Sequence, residues 1–390
     1  MRVLQLCSEL PPAPHGGIGS AVADLAPALV ARGVDLVLCG VYPPSPSMSK
    51  TAVAETVPGE VHRLPSRGAS LPFVPRVLAE RAQLHAWIAR EHRRQPFDLV
   101  HTEDFEGWLP LFRRTAARPP KLVVRLNGSN LVYDALLARK GSRLVWACER
   151  RMLLCADAWI GVSRFFLDET ANRVRPPGTC EVIGNPVATD AFAPRCFTDD
   201  LAVPGRIVYH NSLGARKGIE DLVDALPTVC AACPDAHLEI YGSSPGFEAR
   251  RDALLSRLPG ELRRRVAFFG RVDRERTLPE ALAQAHVACY PSHLETFGIA
   301  PVEAMAIQRV TIYTDTGPGR EIVEDGVDGL LCPPRDPEGL ANTLIRALRM
   351  PAAQRIAMGQ AARTKAVSCF DREVVADRYL DLFRRLLDRP

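Results

Sequence analysis

Pro291-Ser-His-Leu-Glu-Thr-Phe-Gly-Ile-Ala-Pro-Val-Glu-Ala-Met-Ala306 is the stretch from which the rest of the chain is read. A strand over about 286–290 runs into it and a helix begins near Ile299, so Glu295 falls in a loop at a strand's carboxyl end. Glu303 falls about one turn into the helix, on the side facing a cleft. Like charges repel, so neither carboxylate suits a phosphate. Both suit hydrogen bonds from sugar hydroxyls, and the amides after Glu295 suit a diphosphate. A pair of surface glutamates is the plainer reading, and Thr296-Phe297-Gly298 packed between them argues against it.

Working outward, short aliphatic runs alternate with longer helical patterns, the signature of parallel sheets with crossover helices. In the first half the spacing predicts strands at about 2–7, 35–41, 98–102, 121–126, 158–162 and 180–183, with helices over Ala21–Ala31, Val77–Glu91, Tyr133–Leu154 and Phe165–Asn172. The pattern restarts with strands near 206–210, 237–241, 266–269, 286–290 and 310–314, and helices near 218–232, 247–257, 276–284, 299–306 and 336–349. The turn-rich run Ile183–Pro194 separates the series and is read as the hinge. Residues 351–388 read as helical, a tail able to pack across both domains. The expected organisation is 1–185, 186–368 and a C-terminal helix over 369–390 directed toward the first domain.

Open α/β sheets bind ligands beyond the carboxyl ends of their strands, so the loops there carry the candidates. The first strand leads into Pro14-His-Gly16-Gly17-Ile18-Gly19-Ser20, where glycines let backbone amides approach a phosphate. The spacing is not Gly-x-Gly-x-x-Gly and no acidic residue closes the second strand, which disfavours a dinucleotide; a tight turn needing glycine for packing is the bland alternative. The third loop is Asn211-Ser-Leu-Gly-Ala-Arg216-Lys217-Gly218. Only five of the 49 basic residues are lysine, so a lysine at a strand end stands out, and an ammonium there can follow charge developing on a leaving phosphate.

Composition bounds the rest. At 390 residues and 47% hydrophobic, the chain suits two domains. Eleven scattered cysteines give no disulfide framework and read as reduced thiols, with Cys230 and Cys233 structural. No signal peptide or apolar stretch of membrane length is read, so a cytoplasmic location is expected. Residues 1–185 carry +6 and the remainder −2, and Arg90, Arg93, Arg94, Arg113, Arg114, Arg118 and Lys121 cluster in sequence. Such a cluster could attract anionic lipid or a phosphorylated acceptor, against the plainer reading of a solvated surface. No nucleic acid partner is implied.

Together these loops resemble the retaining GT-B glycosyltransferases of family 4, over nearly the whole chain. The most specific element is the spacing Glu295 to Glu303 with its Ser-His-Leu-Glu-Thr-Phe-Gly and Glu-Ala-Met-Ala surroundings. The resemblance implies two Rossmann-like domains facing a central cleft with a C-terminal crossover helix. It assigns Glu295 to the transferred sugar, Glu303 to the nucleotide ribose, and the backbone of Thr296, Phe297, Gly298 and Ile299 to sugar and phosphates. Gly16, Gly17 and Arg216-Lys217-Gly218 match its phosphate loops, and Phe269-Gly270-Arg271-Val272 its base-facing segment; Asp315–Val323, Asp325–Gly329 and Phe370 with the helix after it also fit. Three positions depart from the pattern. Asn211 or Ser212 stands where an arginine partners the lysine, and Asn127 stands for a histidine, keeping hydrogen bonding without a shareable proton. Gln308-Arg-Val310 replaces Gly-x-Pro.

The implied reaction moves a sugar from a nucleotide diphosphate donor to a hydroxyl acceptor with retention, by front-face attack, on Glu295, Lys217 and Asn127, with no cofactor and no metal. Asp199-Asp200 falls in a loop, not at a strand end. The rival readings are an epimerase or phosphorylase on the same plan, and an inactive relative serving as a partner subunit.

Overall fold

In the computed structural model, residues 1–11, 13, 16–44, 57–114, 119–194 and 202–388 are described; Pro14, His15, Arg118 and the Asp199-Asp200 pair lie outside them. Two compact units are present, one of Met1–Pro186 with the C-terminal segment from Arg372, the other Val187–Asp371.

The first unit holds strands β1 (Arg2–Leu6), β2 (Asp35–Tyr42), β3 (Glu60–Pro65), β4 (Leu99–Glu103), β5 (Lys121–Leu126), β6 (Ala158–Gly161) and β7 (Cys180–Val182). They form one parallel sheet in the order β3-β2-β1-β4-β5-β6-β7. Successive side chains alternate between its faces. Val3, Leu36, Leu38 and Ile160 meet Leu25 and Leu29 of helix Gly17–Ala31 on one side. Leu4, Val37, Val100 and Val124 meet Leu84 and Ile88 of helix Phe73–Arg94 on the other. Both faces are covered, which is why the strands read as near-continuous apolar runs. Helix Arg372–Leu387 completes the first face, with Tyr379 and Phe383 buried against the sheet. Arg32 ties it down, reaching Asp377 at 2.6 Å and pairing with Glu373.

The second unit repeats the plan with β8 (Arg206–His210), β9 (His237–Tyr241), β10 (Val266–Gly270), β11 (Val287–Tyr290), β12 (Val310–Thr314) and β13 (Leu330–Cys332), all parallel in the order β10-β9-β8-β11-β12-β13. The strand order reverses between β1 and β4 in one sheet and between β8 and β11 in the other. Those are the switch points at whose carboxyl ends such sheets hold ligands.

Four local expectations are corrected. β3 and β13 were missed: β3 is a half-buried edge strand of mixed sequence Glu-Val-His-Arg-Leu-Pro, and β13, though apolar, has only three residues. The helix expected over Tyr133–Leu154 is two, Asn130–Leu136 and Arg143–Cys155, broken where Ala138 takes a positive φ and Ser142 caps the second by accepting from the Val145 amide. The first helix starts at Gly17, not Ala21, so Gly17 and Gly19 belong to its first turn. The tail is helical only to Phe370 and again from Arg372; at Asp371 the chain bridges to Val187. Among the described residues no helix is long and apolar enough to cross a membrane.

Candidate functional site

In the second unit the loop after β8 and the loop after β11 are brought together by one glycine. Gly218 has φ +68°, and a Cβ there would lie 1.8 Å from the Pro291 carbonyl oxygen, so no other residue allows this approach. Three bonds then lock the loops. The His293 amide donates to the Arg216 carbonyl at 2.8 Å, Arg216 Nη1 donates to the Leu294 carbonyl at 3.1 Å, and His293 Nε2 meets Asp221 at 2.8 Å.

The consequence is a buried ion pair. Lys217 Nζ lies 2.5 Å from Glu295 Oε1, which also accepts from Ser292 Oγ at 3.1 Å. The side chains are 15% and 7% exposed, so solvent screens them little. Burial would raise the Glu295 carboxyl, but Lys217 and Arg216 outweigh it and hold the group below the usual carboxylate range. Burial pulls the Lys217 ammonium below its ordinary value, and Glu295 opposes that. Glu295 is therefore a carboxylate at neutral pH, with the Lys217 Nζ against it.

Glu303 sits on helix Ile299–Ala306, whose preceding Gly298 has φ +99°; a Cβ there would strike the Tyr313 hydroxyl, which donates to the Phe297 carbonyl at 2.9 Å. Both Glu303 oxygens are engaged, Oε1 by Arg274 Nε at 2.6 Å and Oε2 by His210 Nε2 at 2.9 Å, and His210 Nδ1 meets the Tyr290 hydroxyl at 2.7 Å. Burial pushes the carboxyl up; Arg274 and His210 prevail and hold it low. Thr296 and Phe297 are buried beside it. Asn211 is half-buried; its Oδ1 accepts from the Ser212 amide at 2.9 Å, and its carbonyl oxygen lies where a Cβ on Gly242 would fall. On β10 the exposed Phe269 stacks on Tyr241 at 4.6 Å, and Arg271 and Val272 follow, the first exposed and the second half-buried.

In the first unit, Glu9 accepts from the Gly16 amide at 3.2 Å and the Gly19 amide at 2.9 Å, so the chain's own carboxylate occupies amides read as phosphate-binding. Asn127 donates through Nδ2 to Glu103 and through its backbone amide to Asp104 at 2.9 Å. Asp104 also accepts from the Gly128 and Ser129 amides, fixing the turn after β5; burial and Glu149 nevertheless push its carboxyl up to about 8.

The structure thus gathers Lys217, Arg216, Glu295, Thr296 and Glu303 around the β8/β11 switch point. Sequence reading missed His210, Tyr290, Arg274 and Ser292 there. A histidine ending the apolar run Ile207-Val208-Tyr209 was a legible signal. Arg274, three residues beyond Arg271, was not, because only the fold shows which arginine reaches Glu303.

The chain matches two family models, one described as Glycosyltransferase Family 4 over residues 15–191 and the other as Glycosyl transferases group 1 over residues 204–350. It is 29% identical over 399 residues to a glycogen synthase of Mycobacterium tuberculosis, covering 96% of this chain and 92% of that protein. Its fold matches the solved sucrose-phosphate synthase of Thermosynechococcus elongatus at a TM-score of 0.85 with 24% identity over the whole of both chains. Anabaena HepE, solved in complex with UDP-glucose, matches at a TM-score of 0.75 with 19% identity, over 99% of this chain and 100% of that one.

Proposed function

Since the chain belongs to the group 1, family 4 glycosyltransferases of GT-B fold, we propose that it moves a sugar from a nucleotide diphosphate donor to a hydroxyl acceptor, with retention and without a metal. The observation that carries this reading is the pair of buried carboxylates at one switch point, each held charged by a cation: Glu295 by Lys217 and Glu303 by Arg274.

Glu303, oriented by His210 and Arg274, accepts from the ribose; Glu295 faces the transferred sugar. Lys217 lies against Glu295 and moves toward the diphosphate as the glycosidic bond breaks. The acceptor oxygen attacks the face the diphosphate leaves, and a β-phosphate oxygen takes its proton. The protein's task is positioning and stabilising the leaving group. The amides of Thr296 to Ile299, with the backbone of Asn211, serve the phosphates; Arg271 and Val272 flank the base with the Phe269–Tyr241 stack. Asn127 serves the acceptor side, through its bond to Glu103.

The N-terminal domain carries the acceptor and the second the donor. HepE's solved complex holds UDP-glucose, which supports a nucleotide sugar as donor class. Peripheral contact at the inner face of a membrane is part of the reading, with some of the basic cluster engaged within the chain: Arg90 and Arg94 pair with Glu91, and Arg113 pairs with Asp157.

A thermal-shift panel of UDP, GDP, ADP and their sugar conjugates tests the reading. A donor at a hundred times its dissociation constant adds about 2.7 kcal/mol to the unit that binds it, or roughly 5–10 °C for a unit of this size. Release of nucleoside diphosphate only with acceptor present, and undiminished by excess EDTA, is the expected second result. Turnover that needs added Mg2+ or Mn2+ overturns the metal-free part. Donor hydrolysis absent in wild type and unaffected by Glu295→Ala supports the inactive-partner reading instead.

A further inference from the structure

At the carboxyl ends of β1 to β4 the first unit holds a cavity of about 450 Å³, within the size range of small-molecule sites. Its walls are apolar: Leu6, Val41 and Tyr42 from the sheet side, Val77 and Leu84 from helix Phe73–Arg94, and Trp108. Two further lining residues, Phe73 and Phe105, are 48% and 39% exposed. Large aromatics left in water at a cavity mark a surface that a ligand covers.

The polar lining is mostly committed within the chain. Glu9 holds the Gly16 and Gly19 amides, and Glu80 accepts from Ser66 Oγ at 2.5 Å. Arg81 donates to the carbonyls of Val77, Glu106 and Gly107 and lies over Trp108. Glu103 differs. Its side chain is buried, Oε2 accepts from Asn127, and Oε1 has no hydrogen-bond partner among the described residues. Arg125 acts on its charge through space, yet Arg125 Nε and Nη1 themselves lack hydrogen-bond partners among the described residues. Leaving such an oxygen unmatched costs about 1–3 kcal/mol, which a donor on a ligand would recover. The lining also carries four carboxylates, Glu9, Glu80, Glu103 and Glu106, against two guanidiniums, Arg76 and Arg81. A carboxylate or phosphate entering it meets net repulsion.

We propose that this cavity seats the acceptor, and that the acceptor is an uncharged or cationic molecule with an apolar body whose hydroxyl donates to Glu103. It is an aglycone, not the end of a growing polysaccharide and not a phosphorylated headgroup. The inference rests on the glycosyltransferase reading above and names its acceptor class. It also departs from the glycogen synthase to which the chain is similar. Burial brings the Glu103 carboxyl up to about 7, which suits a group that either accepts from a hydroxyl or pairs with an ammonium.

Calorimetric titration of the full chain with four probes tests it: 2-naphthalenemethanol, 2-naphthylmethylamine, 2-naphthoic acid and maltotriose. The alcohol and the amine bind, the acid binds at least about tenfold more weakly, a difference of about 1.4 kcal/mol, and maltotriose gives no heat. Phe105→Ala, at a position 39% exposed, weakens the alcohol and the amine. Glu103→Gln weakens the amine by about tenfold, as loss of a charge-assisted bond requires, and narrows the gap to the acid. Equal or tighter binding of the acid or maltotriose, no binding of either the alcohol or the amine, or indifference to both substitutions overturns the inference. Parallel titration with nucleoside diphosphates separates the two readings: retained nucleotide binding with failed naphthalene binding sinks the acceptor class alone, and lost nucleotide binding sinks the transferase reading.

Discussion

Replacing one member of the Lys217–Glu295 pair should cost more stability than replacing both. Lys217→Met leaves Glu295, 7% exposed, with the Ser292 hydroxyl and the field of Arg216 as its only described compensation. Breaking a buried pair costs about 3–5 kcal/mol, and because Arg216 remains the expected loss is about 3. Glu295→Gln costs less, about 2 kcal/mol, because the stranded lysine, already drawn below its ordinary value by burial, can shed its proton, whereas the field of Arg216 keeps a stranded Glu295 carboxylate charged. With both charges gone, Lys217→Met/Glu295→Gln should lose only about 1 kcal/mol, leaving a coupling of about 4 kcal/mol, above the top of the usual range for residues in contact. On the thermal scale Lys217→Met lowers the melting temperature by roughly 6–12 °C and the double variant by only a few degrees. The pH dependence supplies a second arm. In Glu295→Gln the folded lysine has a pKa below its unfolded value, so the folded state binds fewer protons and stability rises as pH climbs toward the ordinary value of 10.5. Urea denaturation of wild type, both singles and the double decides it. Additive losses within about 0.5 kcal/mol would mean the two charges do not interact, and the pair would lose its place in the site.

Glu103→Gln should stabilise the protein above neutrality. The wild-type carboxyl is raised from 4.5 to about 7, so the folded state holds its proton where the unfolded chain has lost it. The cost grows as pH climbs through that window to about 3 kcal/mol at pH 8 and vanishes near pH 4.5. A stability difference that stays flat between pH 5 and pH 8 refutes this. Gly218→Ala should cost about 1–2 kcal/mol from its left-handed backbone alone, and more as the added Cβ forces the loops apart; an unchanged melting temperature with unchanged donor binding would show that the loops need not touch.

Both sheets were legible because their central strands, such as Ile207-Val208-Tyr209 and Val287-Ala288-Cys289-Tyr290, are buried on both sides and bounded by turns. β3 escaped because an edge strand pairs on one side only and needs little apolar surface. Glu295 and Glu303 could be read from spacing, since both lie within a strand-loop-helix unit whose geometry is local. Their pairings could not. Arg274 lies 29 residues from Glu303, His210 lies 93 away, and Lys217 lies 78 from Glu295. Such meetings depend on how β8 and β11 neighbour each other, which no local pattern encodes. The glycine-rich first loop shows the converse: its residues were found, but Glu9, ten residues before Gly19, had already taken its amides.

Steady-state kinetics of Glu295→Gln and Glu303→Gln on one donor, with nucleoside diphosphate affinity measured beside them, tests the central claim most directly. Glu303 contributes similarly to bound donor and transition state, so Glu303→Gln should chiefly raise the donor Michaelis constant. Glu295 faces the sugar, where positive charge develops, and Glu295→Gln should lower turnover by on the order of a hundredfold while nucleoside diphosphate affinity holds. Identical profiles for the two variants, or a Glu295→Gln enzyme that binds nucleoside diphosphate poorly yet turns over normally, would contradict the division of the site into a sugar end and a ribose end.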